Sequence, residues 1–337
     1  MNSNYFLGAN SSEGFYSLYG GFCRDEGDYL SIIKGGPGTG KSGFMRRIGK
    51  AAEQAGFDVE YVLCSGDRAS LDGVYIPKLH RGWMDGTSPH SAEPQFFGVD
   101  GDYIDLSRFC KTPLGKDKQS EAEKLYKAYK SQYAAAYYYL SAAVSVKKTR
   151  CKGELLSAEK ESIVKNIVQL LPKQKKKSAE GKVKYRFLRY LSGEGEISLN
   201  SEIERLYGKA FTLSGGQTAT DYALKALSRE AVSRGFDIIV SLSPLEPSFY
   251  EAVIIPELET ALTDAHYKLT KAKPIVLNDY ETTPDECEKT LMTSAYSCLS
   301  SAKKQHDALE KIFIKAMDFE ALTAFTDSYL GELFTKY

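Results

Sequence analysis

A glycine-rich stretch near the start of the chain has the residue types and spacing best suited to chemistry. Residues 35–42 read GGPGTGKS and fit the pattern G-x-x-x-x-G-K-[ST] at every fixed position. Glycines let backbone N–H groups approach an anion without a Cβ in the way, a lysine can reach β- and γ-phosphates, and a serine hydroxyl can hold Mg²⁺. The predicted nucleotide-binding residues are Gly36, Pro37, Gly38, Thr39, Gly40, Lys41, Ser42 and Gly43.

The flanking sequence supplies the elements that must position this stretch. The apolar run before it ends in Ser31-Ile32-Ile33, which predicts a buried strand. A helical apolar stripe follows it, formed by Phe44, Met45, Ile48, Ala51, Ala52 and Ala55. The unpaired amides and the dipole at the N-terminus of such a helix favour an anion. The sequence therefore predicts a strand, a phosphate loop and a helix, with ATP and Mg²⁺ as ligands and GTP as the alternative nucleotide.

A second acidic residue is expected at the end of a neighbouring strand, where it orients Mg²⁺. The run Leu79–Met84 reads as such a strand and ends in Asp85, so Lys41 and Asp85 are the predicted catalytic residues, and Ser42 and Asp85 the predicted metal ligands. Capping of the next segment is the alternative role for Asp85, and Asp67 is the second candidate. No glutamate follows Asp85, which favours a slow hydrolase or a kinase-like site over a fast motor. The catalytic base stays open among Asp72, Glu93 and Asp100.

The chain also contains an internal repeat. Gly215-Gly216 lies 180 residues after Gly35-Gly36, and GFDI at 235–238 lies 179 residues after GFDV at 56–59. The segment 252–258 matches 73–79 at the same spacing, and Phe187-Leu188 resembles Phe6-Leu7. A collinear series of this kind predicts a tandem duplication.

The second copy lacks the residues that would bind a nucleotide. An alignment at the spacing of 180 puts Asp221 under Lys41 and Tyr222 under Ser42. A carboxylate facing phosphates opposes their binding, so we expect one nucleotide per chain. The second half is then expected to be regulatory or to bind a protein partner or another copy, or to lend the first half a charge such as Arg229 or Arg234.

Helical stripes close each half of the chain. They run over Leu125–Val144 and Leu156–Leu170 in the first half, and over Leu291–Ala316 and Leu322–Leu333 in the second. A polar, lysine-rich linker at Pro172–Gly181 separates them. We expect an α/β protein of two tandem P-loop NTPase-like domains, 1–178 active and 179–337 degenerate, each with a mainly parallel sheet and an appended helical pair.

Composition narrows the partners and the compartment. Lys+Arg and Asp+Glu both number 44, so the net charge of +0 argues against nucleic acid as an obligatory partner. No apolar run of about 18 residues predicts a membrane span, and the N-terminus has no secretory signal pattern. The six scattered cysteines form no C-x-x-C pair, which is typical of a reducing cytoplasm.

The sequence resembles a family of uncharacterised bacterial tandem phosphate-loop ATPase-like proteins. The resemblance lies in GGPGTGKSGFMRRIG, GFDVEYVLCSGDRASLDGVYIPKL and MDGTSPH, with the RFL lead-in at 186–188, and it extends over nearly the whole chain. It implies the same fold and ATP binding. In that family both halves usually carry a phosphate loop, and this chain departs from the pattern at Gln217–Tyr222.

Together these patterns favour an ATP-binding protein with slow Mg²⁺-dependent hydrolysis, whose second half regulates or binds a partner. A nucleotide or small-molecule kinase, with Asp67-Arg68 near the acceptor, is the alternative. A nucleic-acid-dependent ATPase comes third.

Overall fold

The structure is a computed structural model that describes residues 2–88, 93–111, 114–150, 154–172, 179–277 and 283–335. In the first half the strands are β1 (Ser3–Phe6), β2 (Gly8–Ser11), β3 (Gly14–Ser17), β4 (Tyr29–Lys34), β5 (Glu60–Leu63), β6 (Leu71–Ile76), β7 (Arg81–Asp85) and β8 (Gly101–Asp105). Its helices are α1 (Lys41–Gln54), α2 (Lys116–Lys148) and α3 (Ser157–Val168).

The second half repeats this order, with one additional helix between its third and fourth strands. Its strands are β9 (Val183–Arg186), β10 (Arg189–Ser192), β11 (Gly195–Ser198), β12 (Lys209–Ser214), β13 (Ile238–Leu242), β14 (Tyr250–Ile255), β15 (Thr260–Thr263) and β16 (Lys273–Val276). Its helices are α4 (Asn200–Leu206), α5 (Gln217–Ser233), α6 (Glu286–Ile314) and α7 (Phe319–Phe334). The described residues therefore form an α/β fold.

Each half contains one six-stranded sheet, and the two sheets have the same topology. The strand order is β1-β5-β6-β7-β4-β8 in the first and β9-β13-β14-β15-β12-β16 in the second. In each, one strand (β6 or β14) runs antiparallel to both neighbours, while the other pairs are parallel. The two similar units confirm the duplication, and the sheets are mixed with mostly parallel strands.

The central strand of the first sheet is apolar because both of its faces are covered. In β4, Leu30 and Ile32 belong to one hydrophobic cluster while Ile33 belongs to another, and all three side chains are fully buried. A continuous apolar run is the expected pattern for a strand buried on two sides. The chain therefore leaves this strand deep in the fold and reaches the surface at Lys34, where the glycine-rich loop begins.

The two halves meet around a pseudo-two-fold axis. Phe6 and Phe187, which the repeat aligns, pair with each other through two reciprocal backbone N–H···O=C bonds of 2.9 Å. Pairing of equivalent residues is the mark of an isologous contact. Nearby, the buried guanidinium of Arg186 lies 2.7 Å from a carboxylate oxygen of Glu60 and 3.8 Å from the ring centroid of Tyr5.

The long helices α2 and α6 pack against each other in opposite directions. Tyr129 of α2 lies beside His306 of α6, with ring centroids 5.7 Å apart. Further along α2, Arg150 just after the helix pairs with Glu288 at the start of α6. These contacts make an antiparallel pair that joins the halves.

The shorter terminal helices are exchanged between the halves. Helix α7, at the end of the second half, packs on α1 of the first, where the rings of Phe325 and Phe44 stack at 6.0 Å. The indole N–H of Trp83 donates to the Tyr329 hydroxyl at 2.8 Å. Helix α3 of the first half packs on α5 of the second, burying Ile163 and Ile167. The helices predicted from the stripes thus exist, but α3 and α7 each pack on the opposite half.

Two further expectations concern the linker and the membrane. Most of the predicted linker, residues 173–178, and with it the predicted domain boundary, lies outside the described residues. Within the described ranges, no helix combines the length and the apolar character needed to cross a bilayer.

Candidate functional site

The glycine-rich loop connects β4 to the first turn of α1. Its glycines 35, 38 and 40 have φ values of 153°, 72° and 89°, which L-residues other than glycine rarely adopt. Gly40 is the N-cap of α1, so the N–H groups of Lys41, Ser42 and Gly43 have no acceptor within the helix. Thr39 donates its hydroxyl to the Gly36 carbonyl at 2.9 Å, and this closes the turn. The loop thus presents backbone donors at a helix N-terminus.

Lys41 folds back over this loop. Its Nζ donates to the carbonyls of Gly35 and Gly36 at 2.9 and 2.8 Å, and the side chain is only 8% exposed. The same Nζ lies 3.6 Å from Oδ2 of Asp85. The structure therefore brings together the two predicted catalytic residues, which are 44 positions apart in the chain.

Asp85 is the last residue of β7, the parallel neighbour of β4, and its partner in the register is Ile33. Its Oδ1 accepts bonds from the backbone N–H and the hydroxyl of Thr87, at 2.8 and 2.5 Å. Its Oδ2 faces Lys41. One oxygen therefore caps the following turn, which is the alternative role expected for this residue, while the other faces the loop.

Ser42 connects the loop to the start of β6. Its Oγ accepts the backbone N–H of Leu71 at 2.9 Å. The next residue, Asp72, is almost fully buried and accepts the Tyr19 hydroxyl at 2.6 Å. Burial, together with the charges of Asp72 and Asp85, raises the pKa of the Tyr19 phenol well above its usual range. Both carboxylates therefore lie near one buried hydroxyl behind the loop.

The other two carboxylates considered as bases have different surroundings. Glu93 pairs with Lys34 at 2.8 Å and accepts the Tyr103 hydroxyl at 2.5 Å. Asp100 accepts the backbone N–H groups of Gln95 and Phe96. Of the three, Asp72 is the one on the strand next to Asp85.

Helices of the second half press on the loop, a feature that no sequence pattern indicated. A Cβ added at Gly38 would lie 2.8 Å from the carbonyl oxygen of Glu310 in α6. A Cβ added at Gly40 would lie 2.8 Å from a methyl carbon of Leu322 in α7. The glycines therefore serve both the loop conformation and close contact with the second half.

Asp67, the second candidate, lies in the turn between β5 and β6. Its carboxylate accepts the Ala69 N–H at 3.1 Å and the Ser70 hydroxyl at 3.2 Å. Oδ1 is also 3.8 Å from Nζ of Lys303 in α6. The second half thus places a lysine at this turn, whereas the suggested Arg234 lies at the C-terminal end of α5 and donates to the Pro172 carbonyl and Glu230.

The second copy has a different loop, and here the sequence alignment was wrong by one residue. The Tyr250 N–H donates to Asp221 at 2.8 Å, just as the Leu71 N–H donates to Ser42. Asp221 therefore occupies the position of Ser42, and the buried Thr220 that of Lys41. Helix α5 already begins at Gln217, directly after Gly216. The missing residue lies within the loop, where no matching residues could reveal the gap.

An internal ion pair lies beside this second loop. Glu246, the counterpart of Asp67, is 5% exposed and accepts Nζ of Lys147 from α2 at 2.6 Å. It also accepts the side-chain amide of Gln217 at 3.3 Å. The Glu246 carboxylate thus contacts the first residue of α5, and Lys147 of the first half neutralises its charge.

Asp264, the counterpart of Asp85 in the second half, also lies among other side chains of the protein. Asp264 belongs to a cluster with Glu251 and His266 whose ligand atoms lie within 4.8 Å of one another. The buried Arg189 holds Glu251 in two hydrogen bonds, of 3.0 and 2.5 Å. Asp264 lies 2.8 Å from Nδ1 of His266, so each carboxylate of the cluster already has a partner side chain of the protein.

The chain matches no family model, and it matches neither a curated protein nor a solved structure. The resemblance to tandem phosphate-loop proteins therefore stays a prediction.

Proposed function

We propose that the first half binds ATP with Mg²⁺ at the loop of residues 35–42 and hydrolyses it slowly. The position of Lys41 carries this proposal. Its ammonium is held between the loop carbonyls and Asp85, at the edge where β4 and β7 both end. Ligands of open α/β sheets bind outside the carboxyl ends of the strands.

The chemistry of the loop favours a phosphate. Three backbone N–H groups of the first turn of α1 lack helical acceptors, and the helix dipole adds a partial positive charge. Phosphate oxygens would offer Lys41 charged acceptors in place of neutral carbonyls, and charge-assisted hydrogen bonds are roughly twice as strong as neutral ones. A polyphosphate is therefore the ligand that satisfies most of these donors.

The surrounding oxygens suit magnesium. Mg²⁺ prefers hard oxygen ligands and usually keeps several waters besides one or two carboxylates and phosphates. Ser42 Oγ and Asp85 Oδ2 would hold it. Ser42 lies in the first turn of α1, directly after the loop, and Asp85 ends β7, the strand beside β4. When bound, the ion neutralises charge on the β- and γ-phosphates. Asp85, which now contacts Lys41, would supply a carboxylate oxygen to the ion.

Two features support slow turnover and a single site. Asp85 is followed by Gly86 and Thr87, so no adjacent glutamate orients a water. In the second half, Thr220 stands in place of the lysine and Glu246 lies at the start of α5. We infer that the second half contributes contacts to the first site and forms no second one.

Calorimetric titration of Lys41→Ala with Mg-ATP tests the proposal. Each charge-assisted contact contributes on the order of 1.5–3 kcal/mol, so we expect affinity to fall at least about tenfold. Lys50→Ala removes an exposed lysine from the same helix and serves as the matched control, with unchanged affinity. Both variants should keep the melting behaviour of the parent.

Unchanged affinity in Lys41→Ala would refute the site. If ADP forms only when an acceptor is added, the phosphoryl group is transferred to that acceptor and not to water, and the kinase alternative is correct. Stimulation that requires DNA or RNA would instead favour a nucleic-acid-dependent ATPase.

A further inference from the structure

We propose that Lys303, on α6 of the second half, contacts the γ-phosphate of the nucleotide and stabilises the transition state. This inference rests on the proposed function. It assigns the second half a catalytic residue, where the sequence offered only general roles.

The first step is that one face of α6 runs along the loop. A Cβ added at Gly38 would lie 2.8 Å from the carbonyl oxygen of Glu310 and 2.9 Å from a side-chain carbon of Ile314. Residues 303, 307, 310 and 314 are spaced by three or four, so they share this face of the helix. Lys303 therefore projects on the side of α6 that faces the first half.

The second step is that the turn after β5 links Lys303 to the loop. Nζ of Lys303 lies 3.8 Å from Asp67, and this turn ends at Leu71, whose N–H donates to Ser42. Asp307 holds the same Nζ at 2.9 and 3.1 Å. The ammonium is thus kept charged and tethered near the metal-binding end of the loop, and with 40% of its side chain exposed it can change partners.

The third step comes from the second half, where a lysine and the acidic residue of the corresponding turn are in direct contact. There Lys147 of α2 reaches Glu246, the counterpart of Asp67, at 2.6 Å, and Glu246 contacts the first residue of α5. In both halves a lysine from the long helix of the other half therefore meets the acidic residue of this turn. In the first half the same approach would bring a lysine to a nucleotide on the loop.

The chemistry needs a cation at this place. During hydrolysis the oxygen of water forms a bond to the γ-phosphorus, while the bond from that phosphorus to the bridging oxygen breaks and its electron pair leaves with ADP. The protons of the water go to the product phosphate and to solvent. Negative charge on the transferred group is stabilised by positively charged side chains, which other phosphoryl-transfer enzymes supply in cis or in trans. Lys303 remains protonated throughout.

Lys303→Ala tests the inference, and Lys304→Ala is the control because Lys304 is the exposed neighbour on the other side of the same turn. We expect Lys303→Ala to keep the affinity for Mg-ATP within about twofold while kcat falls at least about tenfold, since the contact is made to the transferred group. Lys303→Arg should restore part of the rate, and Lys304→Ala should behave as the parent.

A parent rate in Lys303→Ala would overturn the inference, and so would equal losses of affinity and rate. Failure of the proposed function looks different, because then the parent itself would bind no Mg-ATP.

An electrophilic adenosine analogue provides a readout without turnover. At alkaline pH, where a fraction of Lys303 is unprotonated and can displace fluoride from the sulfonyl group, 5′-fluorosulfonylbenzoyl adenosine carries its reactive group where the γ-phosphate would lie, and peptide mapping should find modified Lys303. Excess Mg-ATP should prevent the modification, and Lys304 should not react. Labelling of Lys41 with none at Lys303 would place Lys303 away from the γ-phosphate.

Discussion

At the scale of single residues, Asp85 illustrates what spacing alone can predict. A polar residue at the end of a strand beside the loop is a local feature, and the parallel pairing of β7 with β4 brings it to Lys41. The same pairing could not reveal that its other oxygen caps Thr87. The sequence therefore predicts where Asp85 lies, but it does not predict that one carboxylate oxygen caps the next turn while the other faces Lys41.

We expect Asp85→Asn to spare binding of metal-free ATP and to weaken the dependence of binding on Mg²⁺, because an amide is a poorer magnesium ligand than a carboxylate. Titrating Mg²⁺ at fixed ATP measures this. Asp105→Asn is a close control, since Asp105 ends β8, the other neighbour of β4, and caps Ser107 in the same way. Identical magnesium curves for Asp85→Asn and the parent would assign the metal to another residue.

Gly38 shows a different limit of sequence reasoning. A phosphate-loop pattern explains its positive φ, but the carbonyl oxygen of Glu310, which would lie 2.8 Å from an added Cβ, comes from the second half of the chain. Gly36, by contrast, has open space where a Cβ would be.

Gly38→Ala should therefore weaken Mg-ATP binding and lower the melting temperature more than Gly36→Ala does. A strained backbone conformation costs on the order of 1–3 kcal/mol, and here a contact with backbone adds to it. Calorimetry and thermal unfolding of both variants check the difference. Equal behaviour would mean that α6 does not contact the loop as described.

At the scale of elements, the apolar stripes predicted the helices but not their partners. A stripe shows which face of a helix is buried, and it carries no information about which sheet or helix covers it. The apolar stripe of α7 therefore predicted a helix that packs on the second half. The structure places it on α1, with Leu322 buried in the same cluster as Phe44 and Met45.

We expect Leu322→Ala to lower the free energy of unfolding by about 2–5 kcal/mol, the usual cost of a cavity left by a buried leucine. Ser328→Ala on the exposed side of α7 should change it by less than about 0.5 kcal/mol. Denaturant unfolding measures both. A neutral Leu322→Ala would contradict the packing of α7 on α1.

At the scale of the whole molecule, the collinear repeat correctly predicted two similar sheet units. Matches such as GFDV and GFDI lie in or beside secondary structure, where spacing is constrained. The one-residue gap fell inside the loop instead, so Asp221 was aligned with the wrong residue. Nothing in the repeat indicated that the helices would cross between the halves, because both copies contain them in the same order.

Because α7 packs on α1, we expect the folding of the first half to depend on the second. A fragment of residues 1–172 lacks α6 and α7, which exposes the apolar face of α1. We expect it to unfold without a cooperative transition when made alone, and to become soluble and active when made together with residues 179–337. A lone fragment that unfolds cooperatively and hydrolyses ATP at the parent rate would show that the second half is dispensable.

The number of nucleotides bound by one chain tests the account most directly. Lys41 on the first loop and Thr220 with Glu246 at the second predict one site, in the first half only. Calorimetric titration of the full chain with Mg-ATP should saturate at one nucleotide per chain, and Lys41→Ala should weaken that site at least about tenfold. Two nucleotides per chain, or one that Lys41→Ala binds with the affinity of the parent, would contradict the assignment of an active first half and a degenerate second half.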